Sequence, residues 1–452
     1  NSAYTGGAFR MAYDGVADIR RMVPDLSPAQ EAETDFGTYD AGQYFDDLAR
    51  LSGYRTDMAL AEILVAESLD TADWMRGLGV RFMPIYGRQA FKSDGRFRFW
   101  GGLTLEVAGG GLGLVESLHA AAARRGIVVQ YDTRALSLLT DGETVTGVRA
   151  RTGGRDIDIP AGAVVLAAGG FHANAEWRAR YLGRDWDLAK VRGARFNTGD
   201  GIRMAIAAGA MPYGHWSGCH AVAYDMAAPE FGDLNLLGQQ KNSFPFGIMV
   251  NARGERFFDE GADFRNYTYS RLGHAVLAQP GALAWQVFDA QVAQLLSDEY
   301  RIRQSTRVEA GSLEELAGKL EGVDPAGFLA TVAAYNRAVA VDVPFDPTRR
   351  DGRSATGLNV PKSNWANRLE KGPFVAFGVT CGITFTFGGV RTDGDGRVMT
   401  TEGRAIPGLY AAGEMVGGLY YDIYPGGAGL MSGAVFGRRA GAHAAGIGRE
   451  TH

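Results

Sequence analysis

Glycine placement limits what this chain can fold into more than any other feature. Its 64 glycines in 452 residues are about one in seven, roughly twice the usual share, and they recur at no fixed period. They gather in GGLTLEVAGGGLG (101 to 113), LAAGGF (166 to 171), NTGDGI (197 to 202), TFGGV (386 to 390), YAAGEMVGG (410 to 418) and YPGGAGLMSG (424 to 433). Glycine in such places lets a backbone take positive φ or approach a ligand closely. Any one cluster reads as a turn. Together they point to a large, flat, phosphate-bearing ligand.

The segments between the clusters read as an α/β protein. GLVESLHAAAARRG (113 to 126) has helix formers and a glycine stop, IVVQYDT (127 to 133) is a β-rich run, and VTGVRAR (145 to 151) and AGAVVLAAGG (161 to 170) supply further strands. From about residue 217 the style changes: NARGERFFDE reads as a turn between strands, and amphipathic helices are predicted around SLEELAGKLEG and DPAGFLATVAAYNRAVA. After PKSNW (361 to 365) the strand-and-glycine style returns. The expected organisation is therefore a first domain begun by residues 1–216 and completed by 361–452, with 217–360 inserted as an α+β cap. A ligand site is expected at the interface of the two.

Composition closes off several functions. With 46% hydrophobic residues, 21% charged and a formal net charge of −5, the chain has no basic balance for nucleic acid. Cys219 and Cys381 form no C-x-x-C pair, which disfavours disulfide scaffolds, iron–sulfur clusters, zinc ribbons and covalent haem, so redox chemistry would need another cofactor. No apolar run approaches the roughly 20 residues that span a bilayer, and the opening shows no apolar leader. A cytoplasmic protein that does not span a membrane is expected.

The motifs then become specific. IPGLYAAGEMVGG with a following glycine-rich turn and FGRRAG, together with VVLAAGGF, TGDGI and VNARGERFFDEG, resembles the flavoprotein family of fumarate reductases, succinate dehydrogenases and 3-ketosteroid dehydrogenases over nearly the whole chain. FRNYTY, PKSNWA, TCGITFTFGG and YPGGAGLMSGAVFGR are similar to its tricarballylate dehydrogenase branch. The resemblance implies a Rossmann-like FAD-binding domain with an inserted α+β capping domain. It also implies FAD as cofactor, a small-molecule carboxylate as substrate, and a separate electron-acceptor protein or quinone-linked carrier. In the family the opening N-S-x-x-T-G-G loop follows a β-α-β unit whose G-x-G-x-x-G turn holds the FAD pyrophosphate. That first unit is absent here, and the expectation is a missing segment. Gly427-x-Gly429-x-x-Ser432 follows Tyr424-Pro425 rather than a strand and is rejected as that fingerprint.

The same resemblance implies cofactor contacts at Ser2, Thr5, Gly6, Gly7, Ala168, Gly169, Asn197, Thr198, Asp200, Gly413, Glu414, Gly429, Leu430 and Ser432. Glu414 suits ribityl or ribose hydroxyls, or is a solvated turn carboxylate. Asp200 orients a ligand or caps a helix over 201 to 208. Small residues Gly429, Gly433, Gly437 and Gly441 let a helix pack close to the sheet or turn its N-terminus towards the flavin pyrimidine.

For the chemistry, Arg265 corresponds to the proton-shuttling arginine of the fumarate reductases, with Asp263 or Glu260 as relay acids; the competing reading is a surface ion pair with those acids. His220 has the spacing of the family's substrate-binding histidine or is a buried structural one. Two departures weaken the dicarboxylate clamp: Phe385 replaces a second histidine and Tyr424 replaces an arginine. Replacement cations are sought in Arg10, Arg88 and Arg98. Tyr424 followed by glycines resembles the 3-ketosteroid dehydrogenases, so ketone desaturation through Tyr424 is the alternative to desaturating a polycarboxylate such as tricarballylate. A non-catalytic relative that keeps the fold is a third reading.

Overall fold

The computed structural model describes residues 1–99 and 101–446. The glycine-rich opening loop wraps the start of a helix, as its composition allows. Helix α1 (Met58–Gly77) is capped by Asp57, and α2 (Gly110–Arg124) begins where the loop closes on it. The Gly111 N–H donates to Thr5 O at 2.9 Å, and a Cβ at Gly7 would stand 2.7 Å from Gly110 Cα. Only hydrogen at Gly7 permits that approach.

Next come β1 (Thr133–Asp141), β2 (Thr144–Thr152) and β3 (Arg155–Pro160), an antiparallel meander, and β4 (Val164–Leu166). The strand predicted over 127 to 133 is not formed: only Thr133 belongs to one, and Ile127, Val128, Val129 and Tyr131 are exposed. β propensity is realised only against a neighbouring strand, and none lies beside this run among the described residues.

The centre of the molecule is one mixed sheet. Its members are β5 (Lys190–Val191), β6 (Pro212–Asp225), β7 (Ile248–Asn251), β8 (Ala284–Phe288), β9 (Arg307–Ala310) and β10 (Phe374–Val390). Strand β10, 17 residues long, pairs with β5, β6, β8 and β9. Helix α3 (Asp200–Ala207) lies between β5 and β6 in sequence, and α4 (Arg265–Leu277) between β7 and β8. The two helices predicted around SLEELAGKLEG and DPAGFLATVAAYNRAVA form as their patterns predict. α5 (Leu313–Lys319) is capped by Ser312, and α6 (Pro325–Ala338) by Asp324 with Pro325 at its first position. They bury Leu316, Phe328, Val332 and Tyr335 against Trp285 and Val287 of β8. Phe328 is fully buried, and truncating it to Ala would cost about 3–5 kcal/mol. The chain closes with β11 (Arg397–Met399), β12 (Ala405–Ala411), which pairs in parallel with β4, and α7 (Ala428–Ala444).

Helix α4 matters most for position. A Cβ at Gly273 would lie 2.6 Å from Ala221 C and 2.7 Å from Val222 N, so the helix rests directly on β6. Residues 265, 269 and 273 share one helical stripe. Seating Gly273 on β6 therefore aims Arg265 and Tyr269 across the strand face that carries His220.

A buried lysine ties the PKSNW segment to the residues just before β7. Lys362 is inaccessible, and its ammonium donates to Pro245 O at 2.7 Å and Gly247 O at 2.5 Å. Burial lowers its pKa from 10.5 to about 8. Between those values the unfolded chain holds a proton that the folded chain has released, so this residue's contribution to stability grows as pH rises, by at most about 1.4 kcal/mol per pH unit. The buried Cys219 and Cys381 thiols, raised by burial, act in the opposite sense. Comparing wild type with Lys362→Met by urea denaturation isolates the lysine. The difference should shift in favour of the wild type as pH rises from about 8 towards 10.5, and a pH-independent difference would contradict it.

Candidate active site

A cavity of about 790 Å³ opens between the opening loop, β10, α4 and α7. Of the expected site residues, Ser2, Thr5, Gly6, Ala168, Gly169, Asn197, Gly413, Glu414, Gly429, Leu430, Ser432, His220, Arg265 and Tyr424 line it. Gly7, Thr198 and Asp200 do not. Gly7 serves the loop's approach to α2. Thr198 accepts from Asn174 through its carbonyl, and Asp200 sits in the first turn of α3, paired with Arg134 at 3.1 Å and Arg203 at 3.5 Å. Asp200 neither lines the cavity nor caps the helix: it is the first residue of α3, whose N-cap is Gly199 with no side-chain cap bond.

One wall is made without side chains. A Cβ built at Gly433 would come no closer than 3.7 Å to another residue, and at Gly437 nothing lies within 4 Å. Gly429, Gly433 and Gly437 face the cavity, so their spacing does not serve packing of α7 on the sheet. Glu414 stands at the edge of this bare face. Its Oε1 accepts from Thr386 N at 2.8 Å and contacts His172 Nδ1 at 2.9 Å, while its Oε2 faces Gly169. A flat, hydroxyl-bearing group fits such a wall: peptide N–H groups at the start of α7 and one pre-oriented carboxylate.

The opposite wall carries titratable groups. His220 is 2% exposed, neither ring nitrogen has a hydrogen-bond partner, and burial pushes its pKa well below 6.5, so the imidazole is neutral. It packs against Tyr269 (centroids 4.8 Å), Tyr424 (5.1 Å) and Phe385 (5.3 Å). Phe385 is its partner across β6 and β10, beside a β-bulge. The Tyr269 and Tyr424 hydroxyls are 2.6 Å apart. Burial raises both pKa values, so the pair keeps both protons, one bridging and one able to point at a ligand oxygen.

Arg265 is buried. Desolvation draws its guanidinium down to about 10, opposed by Glu299 and assisted by Arg88. Glu299 is 7% exposed: burial alone would raise it, yet Arg88 and Arg265 hold it below its ordinary range. This corrects the expected relay acids. Glu260 is buried against Arg256 at 2.5 Å and accepts from Met249 N, and Asp263 pairs with Arg50 at 3.2 Å. Glu299 lies 34 residues beyond Arg265, and nothing local to the arginine motif signals it.

Of the replacement cations, only Arg88 lines the cavity, where it pairs with Glu106. Arg10 is buried outside the lining, holding Gly426 O at 2.8 Å and Gly101 O at 2.7 Å between the rings of Tyr39 and Tyr267. Arg98 sits 3.6 Å from Asp94 at the surface. A third cation, Arg192, lines the cavity and was not anticipated. Its only sequence signal is its place five residues before the NTGDGI cluster.

The model of the FAD binding domain matches residues 28–430. The chain belongs to this family. FAD is its cofactor, and the bare face of α7 with Glu414 is the part of this FAD-binding domain that fits it. Among relatives, a cytochrome-linked fumarate reductase of Shewanella frigidimarina is 30% identical over 410 residues, 89% of this chain and 65% of that protein. The chain thus spans just under two thirds of that relative's length. A 4-oxocyclohexanecarboxylate 2-dehydrogenase of Sinomonas cyclohexanicum is 30% identical over 434 residues, 86% of this chain and 73% of that protein. The fold matches 3-ketosteroid Δ1-dehydrogenase of Sterolibacterium denitrificans with a TM-score of 0.72 at 20% identity, covering 99% of this chain and 92% of that one.

The bare wall yields a direct test. Gly437→Leu has room in the fold and gains about 1 kcal/mol of helix propensity, but it puts a side chain where the cofactor belongs. FAD-reconstituted protein should lose bound flavin on gel filtration while its circular dichroism spectrum is unchanged. Full retention of flavin would place the cofactor elsewhere.

Proposed function

We propose that the protein is an FAD-dependent oxidoreductase acting on a C–C bond of a small polycarboxylate of the tricarballylate type, with electrons leaving to a separate acceptor. The observation that carries this reading is the cationic wall: Arg88, Arg192 and Arg265 converge on one cavity with the neutral His220 and the Tyr269–Tyr424 pair. When bound, FAD supplies the hydride acceptor. The residues of the chain bind, orient and handle protons. The arginines hold carboxylates and lower the cost of bringing them into a partly dry site. Arg265, still a cation with its pKa at about 10, hands one proton to the Glu299 carboxylate as it takes one from the carbon next to the one that loses hydride, so it relays the proton and keeps its charge.

A second reading has its own support. Two hydrogen-bonded tyrosines suit a ketone oxygen, and the Sinomonas relative is named for a substrate that carries both a ketone and a carboxylate. Succinate, tricarballylate, 4-oxocyclohexanecarboxylate and a 3-ketosteroid, assayed with an artificial electron acceptor, separate the readings. Tricarballylate should be the best substrate and succinate poor, because Phe385 and Tyr424 remove charge from the wall. The keto acid as best substrate would favour the second reading, and a steroid would overturn the carboxylate class altogether. Arg265→Lys keeps the charge and loses the planar fork. It should lower turnover at least about a hundredfold with FAD retained; undiminished turnover would remove Arg265 from the chemistry.

A further inference from the structure

Four arginines line the cavity; Arg438 lies over the Trp74 ring, and of the other three, two have acids beside them. Arg88 pairs with Glu106, and Arg265 lies in the field of Glu299. Arg192 differs. It directly follows β5, and its N–H donates to Ile383 O at 2.8 Å, which locks its backbone onto β10. Its half-buried guanidinium donates one long hydrogen bond, from Nη1 to Thr384 Oγ1 at 3.4 Å. Among the described residues no carboxylate comes within the 4.0 Å of an ion pair, including Asp233, with which Arg192 shares a small recess. A guanidinium that has lost part of its hydration and keeps most of its five donors unspent is matched best by a planar anion.

Its surroundings define where that anion's remainder lies. The positive charge of Arg192 is felt at His220, Tyr269 and Tyr424, where it favours the neutral imidazole and opposes the upward push of burial on the hydroxyls. The position occupied by Tyr424 offers a hydroxyl and no charge, so a carboxylate at this end of the cavity must draw its cation from another element. The edge formed by β5 and β10 supplies one.

We propose that Arg192 is the carboxylate anchor of the substrate, gripping one carboxylate with its fork while the Tyr269–Tyr424 pair donates to another oxygen of the same molecule. This rests on the polycarboxylate reading above. It makes Arg192 a specificity-determining residue, selecting molecules with an anionic group and a second oxygen over neutral rings.

The test uses the FAD-loaded protein and reads ligand binding from perturbation of the flavin absorption spectrum. Tricarballylate and its neutral triamide are titrated into wild type, Arg192→Gln and Arg192→Lys. In Arg192→Gln the tricarballylate Kd should rise at least about tenfold, with triamide binding and flavin content unchanged. Arg192→Lys should fall between, since it keeps charge without the fork, and it carries the test if Arg192→Gln does not fold. A Kd within twofold of wild type in either foldable variant, or equal weakening of acid and triamide, overturns the assignment. If wild type itself binds no carboxylate, the substrate class fails and the anchor with it. Binding in wild type that survives in the variants removes the anchor alone.

Discussion

The pairing of β10 with four other strands is the constraint on which the rest depends. Nearly every residue of this strand is buried, and it runs from one end flanked by β8 and β9 to the other flanked by β6. A strand buried on both faces has its register fixed by what packs above and below, and a slip of one residue would exchange its faces. Gly382 and Gly389 are where the Tyr224 side chain and the Met415 carbonyl lie against it, at 2.6 and 2.1 Å from where a Cβ would stand. The sheet is therefore one piece, and residues far apart in sequence meet on it in fixed positions.

The active-site geometry follows from that rigidity. β10 brings Thr384, Phe385 and Thr386 to the cavity; β6 sets His220 opposite Phe385; α4, seated through Gly273, crosses β6 and delivers Arg265 and Tyr269. The hydroxyl contact between Tyr269 and Tyr424 then joins α4 to the turn before α7. β6, β10 and α4 converge there on the turn that carries Tyr424. This suits a reaction that depends on holding a C–C bond in one orientation rather than on folding around it.

Much of this was legible because glycine and capping residues act locally. The N-terminal turns of α2, α3 and α7 begin at Gly109, Gly199 and Gly427, each with positive φ, and α5 and α6 are capped by Ser312 and Asp324. Such signals need only a few neighbouring residues to be read. What remained hidden depends on long-range packing. Glu299 reaches Arg265 from a short helical turn with no motif, and Arg192 counts as a cavity residue only because β5 happens to pair with β10. The adjacent acids Glu260 and Asp263 misled because nearness along the chain does not survive folding: each turns to an arginine of its own. The run from Ile127 to Tyr131 shows the converse, strand-forming residues without the pairing that would make a strand.

The bare face of α7 has a consequence for how such a protein is tuned. Gly429, Gly433 and Gly437 present peptide groups and no ionisable atom, so the field they impose does not change with proton concentration. Nor can it be adjusted by exchanging side chains without filling the cavity that these glycines leave open. The ionisable groups around this face belong to other positions: Glu414 at its edge, and His220, Arg265 and the tyrosine pair opposite. The glycine face thus contributes a fixed field, and whatever chemical adaptability the cavity has comes from the side chains around it.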